Sequence, residues 1–121
     1  MNEPKKNIIR EKTFAFAISI VELCKTLSES KEYVISRQLL KSGTSIGANV
    51  READNAESKP DFIHKMGIAQ KEADETLYWI ELLVATKYIS ESQFISLSGK
   101  CNELIKIIRS IILTAKKSIG K

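Results

Sequence analysis

Apolar side chains recur at three- and four-residue steps along nearly the whole chain, and no stretch alternates apolar and polar residues as a half-buried strand does. The clearest run is the last. Phe94, Leu97, Cys101, Leu104, Ile108, Ile111 and Ala115 keep the strict three-four spacing of a bundle seam, widened by Ile105 and Ile112 on one side and Ile107 on the other. Ser90-Glu91-Ser92-Gln93 before it reads as a capping box, with Ile89 and Phe94 placed as a hydrophobic staple. Phe62, Met66, Ala69, Ala73, Thr76, Ile80 and Leu83 form a similar seam. Its start is marked by Ser58 as N-cap, Pro60 in the first turn and Asp61 near the positive helix end.

Two earlier stretches complete the pattern. Ile35, Leu39, Ser42, Ile46, Asn49, Ala53 and Ala56 share one seam. The first helix is apolar over more than half its circumference, with Phe14, Ile18 and Val21 on one edge, Phe16, Leu23 and Leu27 on the other, and Ile20 between. The pattern predicts helices over about 8–27, 33–57, 59–86 and 91–118, joined by short breaks. Short connections make neighbours antiparallel, so the expected fold is an all-α, up-down-up-down four-helix bundle forming one domain. A stripe of about 100° is enough for a bundle helix. Helices one and four exceed it, which predicts self-association, because large uncovered apolar patches are uncommon on monomers.

The second helix carries an unusual run from Ser42 to Ala53, with Gly43 and Gly47 four residues apart on one face. Each glycine costs about 1 kcal/mol against alanine inside a helix. The expectation is a close-packing strip where another backbone approaches, with Asn49 on the buried seam bonding across the bundle to fix register.

Composition narrows the class. The chain has 121 residues, 43% hydrophobic and 28% charged, with five glycines and two prolines, as in an ordinary folded domain. Cys24 and Cys101 lie on apolar stripes and are expected as buried, reduced thiols. No apolar run reaches the ~20 residues of a membrane span, and residues 1–6 lack the apolar segment of a signal peptide. A cytoplasmic protein without membrane association is expected.

Candidate chemistry is sparse. The single histidine, His64, has Asp61 one turn before it but no second histidine or nearby cysteine to complete a metal set. Glu72 and Glu75 lie on the same side as Trp79, yet no Glu-x-x-His motif accompanies them, and solvated or ion-paired carboxylates are expected. No phosphate loop, dinucleotide fingerprint or nucleophile elbow occurs. No catalytic residue, metal or cofactor is predicted. Tyr78 and Trp79, being adjacent, point about 100° apart, so one of them is left for a subunit interface or a stacking surface.

The net charge of +4 is unevenly spread: residues 1–12 carry +2, residues 100–121 carry +5, and the remainder carries −3. If the two ends meet, Lys5, Lys6, Arg10, Lys106, Arg109, Lys116 and Lys117 form a patch suited to RNA or DNA backbones. A solvated surface, with lysines favoured at a helix C-terminus, is the plainer reading of the same residues.

The motifs together resemble a known family. Ser45-Ile46-Gly47-Ala48-Asn49-Val50-Arg51-Glu52-Ala53, then Ser58 with Asp61-Phe62, then Ala69-Gln70-Lys71-Glu72-Ala73 and Glu75-Thr76-Leu77-Tyr78-Trp79 are similar to the 23S rRNA-intervening sequence proteins. The match runs from about Phe14 to Ile112. The resemblance implies a helical bundle assembling as a ring-like homopentamer. It also implies a likeness to accessory proteins of diversity-generating retroelements, which are basic pentamers that bind nucleic acid and a reverse transcriptase. It brings no catalytic residues. A non-enzymatic, nucleic-acid-binding homo-oligomer is therefore expected; the alternative is a scaffold ring that recruits a protein partner.

Overall fold

The computed structural model describes the backbone of residues 3–119 and the side chains of residues 8–119. Four helices follow in order: α1 (Glu3–Glu29), α2 (Val34–Asp54), α3 (Lys59–Ala85) and α4 (Glu91–Ile119), with no strand among the described residues. Helix α1 starts before the first apolar repeat because Pro4 is tolerated in a first turn, where its missing N–H has no intrahelical partner anyway. Helix α2 ends at Asp54, not near Glu57: residues 55–58 are needed to reverse the chain before Ser58 takes the extended geometry of an N-cap. The Asp61 amide donates to Ser58 Oγ at 3.2 Å, and Asp61 Oδ2 accepts from the Glu57 amide at 3.2 Å.

The capping box of α4 is formed as the residues predict: Gln93 N donates to Ser90 Oγ at 3.1 Å, and Ser90 N to Gln93 Oε1 at 2.9 Å. Helices α1 and α3 close with the same device. Lys31 and Lys87 adopt left-handed backbone angles (φ 64° and 67°) while Glu32 N reaches Leu27 O and Tyr88 N reaches Leu83 O, both at 2.9 Å.

Three cross-helix bonds define the antiparallel order. Arg10 near the start of α1 pairs with Asp54 at the end of α2 at 2.9 Å. Lys65 early in α3 pairs with Glu52 late in α2 at 3.0 Å, a hydrogen bond that raises the Lys65 pKa. Lys59 Nζ at the start of α3 donates to Ser118 Oγ in the last turn of α4 at 3.0 Å. The start of α1, the α2–α3 connection and the end of α4 therefore share one end of an all-α, up-down-up-down bundle. The seams α1–α2, α2–α3 and α3–α4 are extensive, and α1–α4 is much thinner.

The core draws on every helix, with Ile20, Leu39, Ile46, Ile80, Leu83 and Ile108 fully buried. An alanine Cβ at Gly43 would lie 2.9 Å from Ile20 Cγ2, and one at Gly47 would lie 3.2 Å from Thr13 Oγ1. Asn49 departs from its expected role: half-buried, it donates to the Ser45 carbonyl of its own helix at 2.8 Å. The side-chain pair that links α2 to α3 across the core is Ser42–Thr76 instead, the two hydroxyls 2.9 Å apart and fully buried, with Thr76 Oγ1 also 2.7 Å from Glu72 O. Helix α2 is rotated so that Ser42 faces α3 squarely, while Asn49 lies at the edge of the stripe.

Both cysteines are free, buried and used between helices: Cys24 Sγ donates to Ser36 O at 3.4 Å, and Cys101 Sγ to Ala73 O at 3.3 Å. Burial, helped by the nearby Asp74 charge, pushes Cys101 up to about 12 from an ordinary 9.0. In the unfolded chain the thiol ionises near 9, so rising pH favours unfolding once that value is passed. We expect thermal stability to hold below about pH 9 and to fall towards pH 12, as Cys101 loses its proton preferentially in the unfolded state. Melting curves from pH 7 to 11 should show a shallower fall for Cys101→Ala; an identical fall would refute the assignment.

Candidate nucleic-acid interface

The last two-thirds of α4 present a row of exposed cations opposite a buried face. Their buried face is taken by Cys101, Leu104, Ile105, Ile108, Ile111 and Ala115, which turns Lys106, Arg109, Lys116 and Lys117 to solvent. These four cations follow helical spacing around Leu113, itself 57% exposed. No Asp or Glu occurs beyond Glu103, and among the described residues no carboxylate pairs with any of the four. The eleven steps from Lys106 to Lys117, at about 1.5 Å rise each, give a stripe of roughly 16 Å. Lys116 and Lys117 lie in the last turn of α4, where exposed carbonyls favour positive charge.

The other predicted cations do not all join this stripe. Arg10 lies on the α1–α2 seam and its guanidinium is held by Asp54, so α2 takes up its charge. Lys5 and Lys6 sit on the first turns of α1, at the same end as Lys116 and Lys117, but their side chains lie outside the described residues. Lys59, which spacing alone did not single out, reaches that end from α3 through Ser118. Only topology could have flagged it, because it is remote in sequence from both termini.

A second surface is apolar. Phe14 (54% exposed), Ile18 (48%), Val21 and Leu40 remain uncovered along α1 and α2, and the Arg51 guanidinium rests over the Phe14 ring 5.2 Å from its centre. The wide stripe of α1 is thus only partly used by the core. The excess on α4 is smaller than expected, since Ile105 is buried and Ile107 and Ile112 pack against the core. On α3, Trp79 leans on the core and donates from Nε1 to Glu75 Oε2 at 3.2 Å, whereas Tyr78 stands 58% exposed. Among the described residues no group of three His, Cys, Asp or Glu side chains could hold a metal, and no helix is long and apolar enough to cross a membrane.

Comparison with known proteins identifies the fold's relatives. The family model described as 23S rRNA-intervening sequence protein matches residues 5–110. No curated protein matches. Among solved structures, the chain is similar to a protein of unknown function from the S23 ribosomal protein family of Bacteroides thetaiotaomicron VPI-5482. The two are 51% identical, with 89% of this chain and 97% of that one covered and a TM-score of 0.88. Nothing in either description points to catalysis. A match over nearly the full bundle, at this identity and with the same four-helix architecture, is a family relationship: the chain belongs to the 23S rRNA-intervening sequence proteins.

Proposed function

We propose that this protein is a non-enzymatic homo-oligomer that holds RNA or DNA backbones along α4. The observation that carries the reading is the stripe Lys106, Arg109, Lys116 and Lys117, exposed and without a described acidic partner. Contacts of this kind release counterions, so affinity should fall steeply with salt and depend little on sequence. Four engaged cations per protomer give a slope of about −3 to −4 in log affinity against log salt. The description of a similar structure as a member of a ribosomal protein family supports the same reading.

The test is anisotropy of a labelled duplex of roughly 20 base pairs, titrated at about 50 mM salt where such contacts are strongest. Lys106→Glu with Arg109→Glu should weaken binding more than ~10-fold and flatten the salt slope by about 2. Absence of binding at low salt, or affinity unmoved by the double variant, would overturn the proposal.

Self-association is the second part. Phe14, Ile18, Val21 and Leu40 expose adjoining apolar surface of the kind that partners cover. Light scattering should give a mass of several protomers, and a monomer at micromolar concentration would refute it. A scaffold that recruits a protein partner remains the alternative reading, favoured by exposed Ile95 and Leu113 on the outer face of α4. It predicts one specific protein that co-purifies after nuclease treatment, with no affinity for oligonucleotides.

A further inference from the structure

Between the C-terminal half of α1 and the start of α2 runs a groove of about 460 Å³, lined by Val21, Cys24, Lys25, Ser28, Tyr33, Ser36, Arg37 and Leu40. Its exposed apolar members are Val21, Tyr33 and Leu40, its charged members are Lys25 and Arg37, and it has no acidic lining residue. On α3 of the same chain the outward face has the opposite character. Tyr78 projects from the surface with Asp74 four residues before and Glu81 three after, all three exposed. At helical spacing these three share one face: an aromatic knob between two carboxylates.

The groove agrees in height with Tyr78 and Glu81. Counting about 1.5 Å per residue from the bundle end formed by the α1–α2 and α3–α4 connections, Arg37, Lys25, Leu40 and Val21 lie about 5 to 12 Å in. Glu81, Tyr78 and Asp74 lie about 6 to 17 Å in from the same end. A knob and a groove on different faces of one chain make a head-to-tail interface, which gives a closed ring only when successive copies do not climb along the axis. Equal height meets that condition for a ring whose axis runs along the helices.

We propose that Tyr78 of one copy seats in the α1–α2 groove of the next, with Glu81 facing Arg37 and Lys25 and Asp74 lying beyond them, farther from that bundle end. The inference rests on the self-association proposed above and names the surfaces that carry it. The occupant is a second copy because charge, apolar character and height are all matched within the same chain. Tyrosine is among the residues that dominate interface energetics when seated in a desolvated pocket. The rim charges supply orientation and exclude the reversed pairing.

The test is a charge-swap series followed by light scattering and sedimentation, with circular dichroism confirming that each variant is folded. Tyr78→Ala should weaken assembly at least ~30-fold. Lys25→Glu with Arg37→Glu should do the same, as should Glu81→Lys; all three reversals in one chain should restore assembly. If the parent protein is a monomer, the self-association reading itself fails. If the parent assembles while the folded variants assemble equally well, or the threefold reversal restores nothing, this pairing of surfaces is wrong and the self-association stands.

Discussion

Ile46→Ala is expected to destabilise the bundle by about 3 to 4 kcal/mol, seen as a drop of roughly 10–20 °C in melting temperature. Ile46 is fully buried on α2, in the same face as Leu39, Ser42, Gly43 and Val50. Deleting three carbons there removes their transfer free energy and leaves a cavity that the surroundings fill only if a helix can move inward. Helix α1 has little room to do so, because α2 already meets it through glycines. Against a typical domain stability of 5–15 kcal/mol this is a large fraction. Chemical denaturation of the variant should show an unchanged slope and a lower midpoint. A loss under about 1 kcal/mol would mean that the strip collapses freely and the close packing is overstated.

The second large effect is at Gly43. Any side chain there meets Ile20, with Cγ2 2.9 Å and Cγ1 3.0 Å from an added Cβ. Gly43→Ala gains about 1 kcal/mol of helix propensity but must displace a buried isoleucine, and overpacking of this kind typically costs 1–3 kcal/mol. Gly43→Val adds two more carbons without adding room, and we expect it to lose about 3 kcal/mol or more. The exposed glycines Gly67 and Gly99 provide the contrast, since nothing lies within 4 Å of an added Cβ. Alanine at either should raise stability by about 1 kcal/mol, from propensity and a less flexible unfolded chain. Ile20→Ala combined with Gly43→Val should recover part of the loss, because the two side chains compete for one volume. Equal effects at Gly43 and Gly67 would show that the strip has no packing role.

What the sequence made legible depended on distance along the chain. The Ser90–Gln93 box and the Ser58 cap were readable because donor and acceptor sit three residues apart, where helix geometry alone brings them together. The seams of α3 and α4 were readable for the same reason, since a strict repeat fixes a face. Choosing between Asn49 and Ser42 as the buried polar group was not. Both lie on one stripe, and which of them meets α3 depends on a small rotation of α2 set by its neighbours. Arg10 shows the limit for the candidate site. Its partner Asp54 is 44 residues away, so no local pattern could separate a paired cation from a solvent-facing one. The four cations of α4 were legible because the apolar stripe beneath them leaves only one direction to point.

The thin seam between α1 and α4 has a kinetic meaning. The three extensive seams join helices adjacent along the chain, so each closes a short loop at small entropic cost. The fourth joins the first helix to the last, the longest closure in the molecule, and is rewarded by the least packing. Local pairing of this kind belongs to the topologies that fold in microseconds to milliseconds. The docking of α1 against α4 adds least to that process and resists reversal least. We expect it to part first, bringing Phe16 and Leu104, which line the cleft between the two helices, to water while the three hairpins stay closed.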